Sequence, residues 1–159
     1  MGEKIYEELT YFSPPDVQWN ITFGGSGYDY GRSVKQTIDG GFIFAGETRS
    51  YSAGKGDVWL VKSDINGEEQ WNQTYGGGKN YDDAYALIGT SDGGFAIAGF
   101  TDSFGAGQVD FWLVKTDKYG NMQWNKTYGR SGYDTANSLA LTSDGGYAIA
   151  GNTVTETLH

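Results

Sequence analysis

Cysteine is absent from the 159-residue chain, proline occurs only twice, and the single histidine is His159 at the very end. Without thiols there is no disulfide scaffold and no cysteine nucleophile. Without an interior histidine there is neither a Ser-His-Asp triad nor a zinc site built on His or Cys. Positive charge is also scarce: 11 Lys and Arg against 20 Asp and Glu leave a net charge of −9. A nucleic-acid partner is therefore not expected, since phosphates call for a basic footprint. No apolar run approaches the ~20 residues of a membrane-spanning helix, so no membrane insertion is expected. The sequence shows no signal peptide; Met1-Gly2 reads as an expression remnant and His159 as the start of a tag.

What is abundant is glycine and aromatic side chains. There are 26 glycines among 159 residues, well above the typical ~7%. With 5 Trp, 12 Tyr and 8 Phe the chain is not of the disordered kind, which lacks such residues. Large flat side chains separated by glycine turns are the composition of an all-β domain. A mass of 17.3 kDa suits one compact domain.

The chain repeats itself. Gln-Trp-Asn-x-Thr-[Phe/Tyr]-Gly starts at Gln18, Gln70 and Gln123, and Asp-Gly-Gly-[Phe/Tyr] at Asp39, Asp92 and Asp144. Tyr-Asp recurs at Tyr28-Asp29, Tyr81-Asp82 and Tyr133-Asp134, and Asp-x-Trp-Leu-Val-Lys-x-Asp at Asp57 and Asp110. A spacing of 52 or 53 residues marks a repeat architecture. Each unit reads as four short strands. The first (Ser33–Ile38, Ala84–Thr90, Ala136–Thr142) ends at the Asp-Gly-Gly turn, a strong hairpin signal. The second is Phe42–Gly46, Phe95–Gly99 or Tyr147–Gly151. After a long Ser/Gly loop comes the third, Val58–Lys62 or Phe111–Lys115, whose unbroken apolar run predicts burial on both faces. The fourth ends at Tyr75 or Tyr128. No stretch has helical periodicity.

The expected organisation is a single repeat domain of permuted units. An outer strand and loop over residues 17–31 opens on Val17–Phe23. Full units over 32–75 and 84–128 follow, then a half unit over 136–153, which makes eleven strands. Residues 1–16 contain a weakly alternating stretch, Lys4–Phe12, that reads as a degenerate twelfth.

The motifs from Gln18 to Thr153 resemble a repeat of methanogen and bacterial surface proteins, W-N-x-T-[FY]-G-G, T-x-D-G-G-[FY] and D-x-W-L-x-K-x-D in that order. The resemblance implies four-stranded β-propeller blades and an extracellular or cell-surface location. Three units are fewer than the ~4 blades of the smallest familiar propellers. A β-trefoil or β-prism, each with three units, is the alternative, and Gln-Trp is superficially similar to the Q-x-W of ricin-type lectins. The other route to a ring is pairing with a second copy.

The recurring tryptophans, Trp19, Trp71 and Trp124 at one repeat position and Trp59 and Trp112 at another, read as core rather than as sugar platforms, because identical placement in every unit serves the unit. Replacing Trp71 or Trp124 by Ala is accordingly expected to cost roughly 3–5 kcal/mol of folding stability. Tyr28, Asp29, Tyr81, Asp82, Tyr133 and Asp134 lie in glycine-rich connections that a propeller gathers on one face. They are candidates for a glycan, peptide or calcium, against the simpler role of fixing their loops through backbone N–H groups. Asp57 and Asp110 read the same way. Calcium is not favoured: carboxylates are sparse in each loop, and from Asp64 the twelfth position of a calcium loop is Tyr75, not Glu. No cofactor or metal site is expected, and the glycine runs Gly24–Gly27 and Gly76–Gly78 lack the helix and Lys of a phosphate loop. Asn20, Asn72 and Asn125 open N-x-Thr sequons, compatible with an exterior location.

No catalytic residue is assigned. A carboxylate-dependent glycan hydrolase is the least favoured reading, since one catalytic centre must break the repeat; Glu47 and Asp102 are the asymmetric candidates. The leading expectation is a non-enzymatic surface module for protein or glycan partners that self-associates into a twofold ring, with a lectin as the alternative.

Overall fold

A computed structural model describes residues 19–78 and 80–154. Among them are ten strands and no helix, so the chain is all-β. In order they are β1 (Asp29–Gln36), β2 (Phe42–Thr48), β3 (Asp57–Ser63), β4 (Glu69–Tyr75), β5 (Asp82–Gly89), β6 (Phe95–Thr101), β7 (Asp110–Thr116), β8 (Met122–Tyr128), β9 (Tyr133–Leu141) and β10 (Tyr147–Val154). Three antiparallel sheets result: β1-β2-β3-β4, β5-β6-β7-β8, and the pair β9-β10. Each full unit is one meander with strands in sequence order, as in a propeller blade. Units touch through the faces of their sheets. Only the isolated parallel bridges Gly56–Tyr81 and Val109–Tyr133 join them by backbone pairing among the described residues, so the units do not merge into the single barrel of a trefoil.

The middle sheet is buried on both faces because its strands alternate between two cores. Phe95, Ile97, Trp112 and Val114 pack against Ile43, Ala45, Val58 and Leu60 of the first sheet. Ala96, Ala98 and Leu113 pack with Ala136 and Leu139 of the third. Successive residues of one strand thus serve opposite neighbours, as a two-residue period dictates. This is why β7 reads as an unbroken apolar run; β3, in the first sheet, turns Val58 and Leu60 to the second sheet, while Tyr51 lies against Trp59 on its other face.

The motifs that define the repeat prove to be parts of one device. Gly40, Gly93 and Gly145 take φ of 83°, 81° and 85°, the left-handed conformation that puts glycine after Asp in the tight turn. Asp39 then accepts hydrogen bonds from the Thr37 hydroxyl (2.5 Å) and the Gly41 N–H (3.1 Å). The same carboxylate receives the buried Lys62, whose Nζ also donates to the Ser63 carbonyl (2.7 Å) and Gln70 Oε1 (3.1 Å). Lys115 does likewise with Asp92, the Thr116 carbonyl and Gln123. The Asp of Asp-Gly-Gly, the Lys of the third strand and the Gln before Trp thereby hold three strands in register.

A β-bulge interrupts the first strand of every unit. The register slips between Gly31 and Ser33, between Ala84 and Ala86, and around Asn137, between Ala136 and Ser138. Opposite each bulge stands Gly46, Gly99 or Gly151, where a Cβ would come within 1.7, 1.9 or 2.1 Å of a backbone oxygen. The glycine of the second-strand motif is required by that approach.

Two expectations need correction. Trp19–Phe23 belongs to no strand, although Trp19 packs on Phe42 and Phe23 on Phe44. It lies on the first sheet as β4 lies on the second, where Trp71 meets Phe95. No described strand hydrogen-bonds to it, and a strand is defined by its partner. Val17, Gln18, Lys4–Phe12, Met1-Gly2 and His159 fall outside the described residues. The second correction concerns Trp124, which is 37% exposed and not a core residue. Trp71 is shielded by the turn at Gly120, 2.7 Å from its ring by the glycine's missing Cβ, and Trp19 by the turn at Gly67. No described turn stands over Trp124. The fully packed tryptophans are Trp112, 2% exposed, and Trp59; their indole N–H groups donate to Asn125 and Asn72 of the sequons.

Candidate functional site

The connections into β1, β5 and β9 lie at one end of the sheets, beside the loops between the second and third strands. Asp29 fixes this end in the first unit. Its carboxylate accepts from the Thr48 hydroxyl (2.5 Å), the Ser50 hydroxyl (2.6 Å) and the Gly25 N–H (2.9 Å). Burial works to raise its pKa, but the Ser50 and Thr48 hydroxyls with the Gly25 and Ser50 N–H groups outweigh it and leave the value at about 2. Asp82 accepts from the hydroxyls of Thr101 and Ser103 and from the Gly77 N–H. Asp134 accepts from the Arg130 N–H at 2.9 Å. Asp57 and Asp110 hold the preceding loops through the N–H groups of Ala53 (2.8 Å) and Gly107 (3.1 Å). All five carboxylates thus bind backbone N–H groups, and no three acidic side chains gather into a metal cluster among the described residues.

The tyrosines beside them are differently disposed. Tyr28 is 69% exposed and Tyr133 is exposed as well, whereas Tyr81 is half-buried. Tyr28 stacks on Tyr30, with ring centroids 6.5 Å apart and planes at 13°. The Arg49 guanidinium lies over Tyr81 (5.1 Å), Tyr30 (5.7 Å) and Tyr28 (5.8 Å), and Arg32 over Tyr30 (5.2 Å) and Tyr85 (5.4 Å). The Lys55 ammonium adds a contact to Tyr81 at 5.4 Å. Cations at these distances are attracted by the negative ring faces.

Two buried carboxylates anchor the arginines from below. Glu47 accepts from Arg49 Nε at 2.7 Å and Asp83 from Arg32 Nη2 at 3.1 Å. Burial pushes the Asp83 carboxyl up to about 6; Arg32 opposes the rise and the nearby Glu47 adds to it. Glu47, named in sequence for its asymmetry, therefore has Arg49 as its partner and not Asp102.

This Tyr–Arg layer breaks the repeat. Arg32 is the bulged residue of β1, and its counterparts at the other two bulges are Tyr85 and Asn137. Arg49 is matched by Asp102, and Glu47 by Phe100. Bulges commonly re-aim side chains beside functional sites. Sequence reasoning found Tyr28, Tyr81 and Glu47 but missed Tyr30, Arg32, Arg49, Asp83 and Tyr85. Comparing the aligned units for their differences, rather than their identities, was the signal available.

No protein-family model matches the chain, and no curated protein is found to be similar to it.

Proposed function

We propose that the protein is a non-enzymatic surface module whose repeat-breaking Tyr–Arg layer meets a protein or glycan partner outside the cell. One observation carries the reading. Most residues shared by the units are consumed by the scaffold, whereas Tyr30, Arg32 and Arg49 are unique to the first unit and reach the surface beside the recurring Tyr28. Tyrosine and arginine supply large contact area with polar ends, the composition of binding hot spots. A hydrolytic role is less well supported, because Glu47 and Asp83 are both buried and each is tied to an arginine. No cofactor enters this reading. The sequons and the resemblance to surface-protein repeats support an exterior location. The test is a glycan and surface-protein array with hydrolysis measured on the same ligands. Binding without turnover that is lost in Tyr30→Ala and Arg49→Ala agrees with the proposal; turnover contradicts it.

Self-association is part of the same proposal. Among the described residues β10 has one strand partner, β9, and its other edge is unpaired. Beside that edge Phe111, Leu113, Trp124, Tyr147 and Ile149 line an apolar cleft. In the neighbouring junction the corresponding space is filled by Trp112 and Val114. A second copy that covers this edge would complete blades at both junctions of a twofold ring, in keeping with the prevalence of closed symmetric dimers.

A further inference from the structure

Asp57 and Asp82, two repeats' worth of loop anchors, converge on one small space. A Cβ on Gly76 would stand 2.3 Å from Asp57 Oδ1 and 2.7 Å from Asp82 Oδ2. Asp57 is 3% exposed and Asp82 fully buried. Asp82 is the pair's acceptor, since three donors already point at it. Asp57 differs. Its Oδ2 takes the Ala53 N–H, while Oδ1 is buried with no hydrogen-bond partner among the described residues. An acceptor left unpaired in the interior is costly, and a second negative charge beside Asp82 compounds the cost. One hydrogen atom removes both penalties, because a protonated Oδ1 becomes a donor beside the Asp82 carboxylate.

We propose that Asp57 carries a proton on Oδ1 where it meets Asp82 across Gly76, which makes the seam between the first and second sheets a pH-responsive latch. Burial, and secondarily the charge of Asp82, raise the proton affinity of Asp57, partly opposed by the Ala53 N–H. The other charged groups nearby are already committed. From β2, Glu47 lies against Gly56 and pairs with Arg49; from β5, Asp83 pairs with Arg32; Lys55 sits over the Tyr81 ring. Neither member of the pair forms a salt bridge among the described residues. The next seam repeats the geometry: a Cβ on Gly129 would stand 2.0 Å from Asp110 Oδ1 and 2.7 Å from Asp134 Oδ2, and both residues are buried. The close approach of two loop-anchoring carboxylates thus recurs with the unit, while the unpaired buried oxygen is particular to Asp57 among the described residues.

A raised acid contributes stability that is present at low pH and lost as pH climbs through its folded value. Asp57→Asn is the direct test, since the amide keeps a donor toward Asp82 at every pH. The expected result is that the melting temperature of the variant falls less than that of the parent from mildly acidic to alkaline pH, and that the variant is the more stable at the alkaline end. Carbon NMR titration of the Asp57 carboxyl in the unaltered protein gives an independent measure, with a midpoint above the ordinary ~3.9 of aspartate. A midpoint at or below that value overturns the proposal. So does a melting temperature, after EDTA treatment, that calcium raises in the parent but not in Asp57→Asn, because a cation then occupies the place assigned to the proton.

Discussion

Lys62 Nζ lies 3.0 Å from Asp39 Oδ2, and Lys115 repeats the relation with Asp92 at 2.8 Å. The lysine is buried and the aspartate half-exposed, so the pair draws the hairpin turn down onto the third strand of the same sheet. Lys62→Met should cost roughly 1–3 kcal/mol, above an exposed ion pair and below a fully buried one. Urea unfolding of Lys62→Met and Lys115→Met measures it. A loss within a few tenths of a kcal/mol would show that the lysine only fills space.

The tryptophans should separate by position. Trp112→Ala empties a packed site and is expected to cost about 3–5 kcal/mol. Trp124→Ala, at a surface-exposed copy of the Trp71 position, should cost clearly less in a monomer. Equal losses in dilute solution would mean that something covers Trp124.

Acid should weaken the turns. The Thr37 hydroxyl and the Lys62 ammonium hold the Asp39 carboxyl at about 2, and Lys115 with Thr90 holds Asp92 well below the usual range. For carboxyls lowered in this way, stability is present above the unfolded value of ~4 and lost as pH falls through the folded one. Melting curves between those limits should steepen in the parent and flatten in Asp39→Asn. Asp83, raised to about 6 by burial, acts in the opposite sense: its contribution disappears as pH rises through that value.

Most of the fold was legible in the sequence because each unit spends its identities on backbone problems. Asp-Gly-Gly marked the turn and the apolar run of β7 marked a sheet covered twice, whereas the bulge that the second-strand glycine faces came only with the structure. Strand starts were less legible. β5 begins at Asp82 and not Ala84 because a bulge lets the strand continue past the irregularity toward the anchored loop. Trp124 could not be distinguished from Trp71, since their local sequences agree and only the neighbouring sheet differs. At the candidate site the loop-anchoring aspartates were visible as repeats. The Tyr–Arg layer was hidden because Arg32 reaches Asp83 across 51 positions of sequence.

Self-association has a direct readout in particle mass. Size exclusion with light scattering should give twice 17.3 kDa for the proposed ring. A particle of 17.3 kDa at all concentrations would remove the ring while leaving the unit architecture intact.

The central claim is that residues which differ between units bind a partner while residues they share build the scaffold. Array binding by the parent, Arg49→Ala, and a folded variant of an exposed residue that the units share, such as Gln123→Ala, compares the two sets most directly. The account predicts a bound glycan or surface protein whose signal disappears with Arg49→Ala, persists with Gln123→Ala, and is accompanied by no turnover. Binding that survives loss of Arg49, Arg32 and Tyr30 together in a folded protein would contradict it.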